Sequence, residues 1–451
     1  MYRKQGLIAV LLIGLVVSGG GLPVVASTAA VWPGHEAVAL EGVGQVEMVS
    51  AGPYLGSILS LSPLYGSQKT YMPAVAYNWK QREYLVVWHT TWAIGSRDIR
   101  AQRVSARGQL LGSEFVVFKH DAKDSGQPDV AYDPVNNRYL VVFVHDVSGN
   151  GTDWDVYGRF VPWNGPSAAL TAFPICDWPT KQWNPKLAYS RTQEEFLVVW
   201  WTEGVGGVKS YVSGRRVRAD GSGFPASPFA IASHPTLNRV GPDVAYNHAR
   251  NEYLVVWDAV NASRDIYGVR LSGSGAVLGG GEFGIAGWPD NETTPAVAAC
   301  SASDQYLVVW QSDRGAPTHW DIYGRFVKGD GMVDTVHTIA STTGFETRPH
   351  VACSTSSVPN HSGTQYLIAY EQEYANQHFG IRARFVSSSK VLRGTFALVQ
   401  AGMTTDRTQP AVAGGVGGFL AVWAHGWDAV STNVRGRIAV PNAVFLPLVM
   451  R

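Results

Sequence analysis

Cysteine is scarce in this chain: Cys176, Cys300 and Cys353 are the whole set, too few for a disulfide framework. An apolar core must therefore carry the stability. Charge is also scarce, with charged residues at 16% and a net charge of +1. After Arg3-Lys4 there is no run of Lys or Arg, which argues against a nucleic-acid or anionic-membrane partner, because neutralising phosphates takes clustered cations. No His/Cys cluster has zinc spacing, and there is no Gly-x-Ser-x-Gly and no phosphate loop.

What the chain has in quantity is turn formers and apolar residues: 49 Gly, 24 Pro and 45% hydrophobic residues, a composition suited to many short strands. A segment of the form Pro-x-Val-Ala-Tyr, a short polar turn, then Tyr-Leu-Val-Val-Trp recurs seven times, starting at Pro73, Pro128, Pro185, Pro242, Pro295, Pro349 and Pro410. A period of this kind marks supersecondary units that are each too small to bury an apolar face alone and so stack on one another. One closed domain of seven units over residues 54–440 follows, rather than the several domains suggested by length.

Each unit reads as four strands. In the fourth they are Asp243-Val244-Ala245-Tyr246, Tyr253-Leu254-Val255-Val256-Trp257, Asp265-Ile266-Tyr267-Gly268-Val269-Arg270 and Phe283-Gly284-Ile285-Ala286. The second strand is apolar at consecutive positions, so both of its faces are buried, as in a sheet packed between two others. That predicts an all-β, seven-bladed β-propeller of four-stranded antiparallel blades. Ala76, Ala131, Ala188, Ala245, Ala298, Ala352 and Ala413 mark the crowded inner strand, and the Trp that closes the second strand wedges neighbouring blades. The last copy stops after its third strand, while Ser57 to Leu61 precede the first copy with nothing to pair. The N-terminal strand is thus expected to complete blade seven and close the ring. Cys300 and Cys353 lie at nearly equivalent places of successive units; a bridge is conceivable, but two buried apolar side chains are the favoured reading.

The ends carry their own signals. Met1-Tyr2-Arg3-Lys4, the apolar run Gly6 to Val17 and the small residues Val24-Val25-Ala26 have the three parts of a secretory signal, with an apolar run shorter than the ~20 residues of a membrane span. Residues 1–30 are assigned as that signal and 31–53 as a leader segment. Residues 441–451 form an apolar tail, ending Leu446-Pro447-Leu448-Val449-Met450-Arg451, which resembles the tails that end many secreted proteins of certain bacteria; the resemblance implies a sorting or surface-retention tag, and the alternative is a terminal strand packed against the propeller.

The order Pro-x-Val-Ala, Leu-Val-Val-Trp, Asp-Ile-Tyr-Gly-Arg, Phe-x-Ile resembles the blade of the sialidase-like (bacterial neuraminidase repeat) propellers and of related repeat proteins secreted by bacteria. The family's motifs are missing: the turns Ser105-Ala106-Arg107-Gly108, Ala219-Asp220-Gly221-Ser222 and Gly329-Asp330-Gly331 between the third and fourth strands lack the Thr-Trp of its Asp box, no Phe-Arg-Ile-Pro opens the first blade, and no Tyr/Glu nucleophile pair can be assigned. The resemblance implies arginines gripping a carboxylate at the channel mouth. Arg239, Arg348 and Arg407 stand just before the first strand of blades four, six and seven, in reach of a rim shared with Trp183, Glu292, His145, Glu203, Asp313, Glu371 and His425. Acids alternate with these arginines along the chain, so rim salt bridges are the favoured reading over a ligand clamp. For metal, the loop Asp146, Ser148, Asn150, Asp153 partly matches a calcium loop without its bidentate Glu; an ordinary polar loop is favoured, with calcium the sole cofactor candidate.

Seven copies without a shared catalytic signature point to a non-enzymatic, secreted or cell-surface binding module, monomeric, for glycans or surface proteins. The alternative is a glycoside hydrolase or lyase whose two carboxylates come from Glu203, Glu292, Asp313 and Glu371 at the channel mouth. Export is checked by intact mass: the protein secreted by a bacterial host should lack its first 26 to 30 residues, and a mature species that still begins at Met1 or Tyr2 contradicts the assignment.

Overall fold

A computed structural model describes residues 53–441, apart from 64–68, 94–95, 261–262, 315–318, 355–364, 375–377, 401–404 and 427–431. The expected signal, the leader up to residue 52 and the apolar tail from residue 442 lie outside the described residues. Seven antiparallel sheets follow one another around a ring, spanning 69–118, 125–176, 182–232, 238–286, 292–340, 346–399 and 407–440. In blades one to six the strands, here A to D from the axis outward, pair in chain order. The protein is a seven-bladed β-propeller.

The second strand of every blade is the buried centre. Leu85 to Trp88, Leu197 to Trp200, Leu254 to Trp257, Leu307 to Trp310 and Leu420 to Trp423 are all 0% exposed. Alternate residues of one B strand belong to different apolar clusters: Leu254 and Val256 pack towards blade five, Val255 and Trp257 towards blade three. No blade has a core of its own, so each is stable only between neighbours.

The motif residues of strands C and D meet across the blade boundary. Arg215, Arg325, Arg384 and Arg437 each donate from Nη1 to a strand D carbonyl of the preceding blade, Ile175 (2.7 Å), Ile285 (2.6 Å), Ile339 (2.6 Å) and Leu398 (2.7 Å), and Arg159 does the same to Val117. Their Nε donates within their own blade, to Leu170, Ala226, Asp334, Arg393 and Gly56. The Arg of Asp-Ile-Tyr-Gly-Arg is therefore a clamp between outer strands. Blades one and four carry Gln102 and Val269 there. The residue before this position is Gly or Ala in every blade, and in blades three and four a Cβ on Gly214 or Gly268 would come within 2.7 or 2.8 Å of Ile231 or Ile285.

Strand A bulges in all seven blades at its Pro, where the ladder with strand B shifts register. Pro suits the bulge because it has no N–H to leave unpaired. The residue before it is left-handed throughout: Met72, Gln127, Asn184, Thr294, Arg348 and Gln409 have φ between 47° and 56°, and blade four places Gly241 there. Non-glycine residues rarely hold this conformation. It turns their amides to the preceding blade, so that Gln409 Oε1 accepts from Met72, Gln127 Oε1 from Asn184, Gln311 Oε1 from Arg348 and Glu371 Oε1 from Gln409.

The ring closes through the N-terminal strand, as expected, but in two pieces. Tyr54–Leu55 pairs with Val440 and Ala439, and Leu59–Ser60 with Gly436 and Arg435, with one extra residue between them on the N-terminal side. Arg437 Nε holds the Gly56 carbonyl in this bulge at 2.6 Å. Leu61 and Ser62 then donate to the Val434 carbonyl.

One expectation is corrected. Cys300 and Cys353 form a disulfide with Cα atoms 5.6 Å apart. Cys300 is one residue further along its strand than Cys353, and the converging ends of A strands bring such offset positions of adjacent blades within bridging distance. The bridge staples blade five to blade six. In the chain-entropy account a closed loop of 53 residues contributes about 4 kcal/mol.

Deletion of residues 54–62 removes the outer strand of blade seven, the Gly56 acceptor and the buried Leu61. The truncated protein should melt several degrees lower and associate through the bared edge, read by differential scanning fluorimetry and light scattering. A monomer with an unchanged melting temperature is the outcome that rules out closure by this strand.

Candidate functional site

The mouth of the channel on the face of the A-to-B turns holds a pocket of about 470 Å³. Its wall is the last residue of Pro-x-Val-Ala-Tyr in four consecutive blades, Tyr77, Tyr132, Tyr189 and Tyr246. Blades five to seven have Ala299, Cys353 and Gly414 at that position and do not line the pocket. Two residues further on, the A-to-B turns add Trp79, Pro134, Arg191 and His248. The hydroxyls are held from behind: Tyr132 donates to Asn137 Oδ1 at 2.7 Å and Tyr246 to Asn251 Oδ1 at 2.9 Å. Both Asn residues take the left-handed turn conformation. Trp79 is 46% exposed, with the Arg191 guanidinium 5.6 Å from its ring centre. No carboxylate lines the pocket. A pocket of this size, walled by aromatic rings and bearing a guanidinium and an imidazole, suits a small ring-shaped ligand that stacks on one face.

The residues singled out from sequence lie towards the opposite face, where strand A begins. Arg239 is 1% exposed and points outward along its blade, with Nη2 2.7 Å from Glu282 of strand D and the guanidinium 5.7 Å from the Tyr267 ring centre. Arg348 pairs with Glu371 at 3.0 Å, and Arg407 Nη1 donates to the Thr405 carbonyl at 2.6 Å. The arginines thus have separate partners, and the acids involved differ from those that alternate with them in sequence. His425 stands opposite Arg407 in the ladder. Trp183 packs between Trp154 (5.2 Å) and Trp201 (6.4 Å). His145 is bonded to Ser125 at 3.0 Å, and burial lowers its pKa to about 4.

The carboxylates of Glu371, Glu292, Glu346 and Asp313 are occupied. Glu371 is 1% exposed and accepts from Arg348, from Thr347 Oγ1 (3.1 Å) and from the Gln409 amide (2.7 Å). Glu292, 0% exposed, accepts from the Trp288 amide at 3.0 Å and Ser312 Oγ at 3.2 Å, which closes the crossover from strand D of blade four. Glu346 closes the next crossover in the same way on Thr342. Asp313 accepts from the Asn291 amide and side chain at 2.7 and 2.8 Å. Glu203 sits half-buried at the end of its strand, its amide bonded to the Lys181 carbonyl. These are loop-holding positions, and in sequence they are indistinguishable from a catalytic rim.

The loop proposed for calcium also closes on itself. Asp146 accepts from the Gly151 amide (2.7 Å) and Asn150 Oδ1 from the Thr152 amide (3.0 Å), and the one Ser148 hydroxyl lies 2.9 Å from Asp146 Oδ1 and 2.6 Å from Asn150 Oδ1, donating to one of them at a time. Asp153 contributes its carbonyl to the Val147 amide. The oxygens face loop donors, the arrangement of an ordinary polar turn. Among the described residues there is no group of three or more His, Cys, Asp and Glu placed to hold a metal.

A polar set that sequence reading passed over lines the axis one residue after the Pro: Asp129, Lys186, Asp243 and His350. Asp129 Oδ2 accepts from the Leu187 amide (3.2 Å), Asp243 Oδ2 from Val297 (2.8 Å) and His350 Nδ1 from Val412 (3.3 Å). Each thus caps the unpaired inner edge of the next blade. Burial pushes the Asp243 carboxyl up to about 6, offset by the Lys186 charge, and pushes His350 down to about 3.

No protein-family model and no curated protein matches the chain. Solved structures do. The chain is similar to the Hadza microbial sialidase Hz136 at 10% identity, over 76% of this chain and 73% of that one, TM-score 0.46. It is similar to the K499G mutant of the NanB sialidase from Streptococcus pneumoniae at 8% identity, over 82% and 68%, TM-score 0.45, and to the endo-arabinase from Bacteroides thetaiotaomicron at 11% identity, over 63% and 99%, TM-score 0.36. At such identities, function has to be read from this chain's own side chains.

Glu292 gives a pH test of its structural role. Burial, with Asp265 and Asp290 adding to it, raises its pKa from 4.5 to about 7. The folded chain keeps this proton to higher pH than the unfolded chain, so the stabilisation is complete below about pH 4.5 and is lost as pH rises through about 7. Glu292→Gln mimics the protonated form and should flatten the fall in melting temperature between about pH 5 and 8, by around 2 °C. Parallel curves for the two proteins contradict this.

Proposed function

We propose that the protein is a non-enzymatic binding module, secreted or displayed at the cell surface, that takes a glycan into the aromatic mouth on its A-to-B turn face. The observation that carries this reading is the content of the two faces. The pocket has stacking surfaces, one guanidinium and one imidazole but no carboxylate, whereas glycoside hydrolysis needs two carboxyl groups facing each other across the sugar. The candidate carboxylates Glu292 and Glu371 are buried with their oxygens engaged. Sugar rings present flat C–H faces that suit Tyr and Trp, and their hydroxyls suit His248 and Arg191. Rigid A-to-B turns on a closed ring supply the preorganisation that binding needs. The disulfide between blades five and six is at home in an oxidising compartment, which supports export, and a single glycan or a glycosylated surface protein would serve as partner.

The test is a glycan array paired with a fluorogenic glycoside screen. Retention on a subset of glycans with hydrolysis at background is expected. Trp79→Ala, at an exposed position, should weaken retention about tenfold, ~1.4 kcal/mol, without lowering the melting temperature. Turnover that vanishes in Glu203→Gln or Asp313→Asn would instead install the hydrolase, and retention indifferent to Trp79→Ala would move the site elsewhere.

A further inference from the structure

The seven copies allow one blade to be compared with another at the same position, and blade six differs where it meets blade five. In blade five the crossover residue Trp288 packs on Trp310 of strand B (6.2 Å) and Tyr323 of strand C (5.0 Å), with the Arg314 guanidinium 4.0 Å from its ring centre. In blade three Trp178 packs on Trp200 at 6.3 Å. The equivalent residues of blade six are Thr342, Tyr370 and Arg382. Both indoles are gone, and a groove of about 440 Å³ opens between the blades, with Arg382 in its wall.

The partners of this arginine differ as well. Its counterpart in blade one, Arg100, lies 2.5 Å from Glu114 and 3.9 Å from Asp98. At the places of these two acids blade six has Thr395 and Gly380. Arg382 Nη2 donates to the neutral Thr395 hydroxyl at 2.9 Å. Thr395 thereby keeps its own proton to donate, and the hydroxyls of Thr338 and Tyr370 line the same groove. Asp321 accepts from Ser341 Oγ (3.1 Å), and Glu346 accepts from the Thr342 amide and hydroxyl, close enough to Arg382 for the two charges to interact, while the Tyr370 side chain is hydrogen-bonded to Arg382. Arg384 is held by the carbonyls of Ile339 and Arg393.

We propose that the groove between blades five and six binds an oxyanion group, a sulfate, phosphate or carboxylate borne by a larger ligand, through Arg382 with the hydroxyls of Thr395, Tyr370 and Thr338. The site takes the anion into the place that Glu114 fills in blade one, and a guanidinium donates two parallel hydrogen bonds to such a group. It stands apart from the aromatic mouth and does not depend on the reading of that pocket.

The experiment titrates the full chain with sodium sulfate, phosphate and acetate against sodium chloride of equal ionic strength, by calorimetry and thermal shift. At least one oxyanion should bind saturably and raise the melting temperature above the chloride control, and the ranking of the three identifies the group. Thr395→Glu restores the acid of blade one and should weaken binding by about tenfold or more while the fold stays intact, and Arg382→Ala should do the same. Thr342→Trp, which refills the groove as in blade five, should exclude the anion by bulk. Binding unchanged in both Thr395→Glu and Arg382→Ala, or no oxyanion effect beyond chloride in the wild-type protein, overturns the proposal.

Discussion

The structure depends on a blade having two apolar faces and no way to bury either of them alone. Strand B is apolar at consecutive positions, and its alternate residues enter the cores on opposite sides. Each blade is thus a shared wall, and what holds a wall in place are the contacts across it. Three kinds recur, the Arg clamps between outer strands, the amides of the left-handed residues before the Pro in blades one, three, six and seven, and the axial side chains capping the next inner edge; a fourth occurs once, the disulfide between blades five and six. All but the last are hydrogen bonds to backbone groups that the propeller geometry would otherwise leave unpaired, which a buried backbone does not tolerate cheaply.

Much of this was legible in the sequence, because periodic features are dictated by a periodic fold. The consecutive apolar run of Tyr-Leu-Val-Val-Trp required burial on both sides, the small Ala of the first strand required crowding, and the short last copy required completion from the N-terminus. The bridge between Cys300 and Cys353 was conceivable from sequence but not the favoured reading, because it depends on a one-residue offset between converging strands. The Arg of Asp-Ile-Tyr-Gly-Arg could be counted but its role could not, since its acceptors are carbonyls, which every residue has.

The candidate site shows a sharper limit. Glu292 and Arg239 stand at rim positions in sequence, yet both side chains are buried, one closing a crossover and the other crossing its blade. The Tyr that lines the pocket belongs to the repeat itself, so nothing in a single copy marks it as a site residue. Its meaning lies in the contrast between four consecutive blades that keep it and three that do not. In a repeat protein the deviations carry specificity, and Arg382 in a groove emptied of tryptophan is the same lesson on another face.

The bond from Arg437 to Gly56 joins residues 381 apart in the chain, and the strands it fastens are the outermost pair of one blade. A chain emerging from its N-terminus therefore makes the last strand of blade seven first and must hold it unpaired until the final repeat arrives. Six blades can assemble in order, each on the one before, but the ring stays open throughout synthesis. Locking is an event of the completed chain, so an interrupted or clipped product has an unmatched edge at each end of the stack.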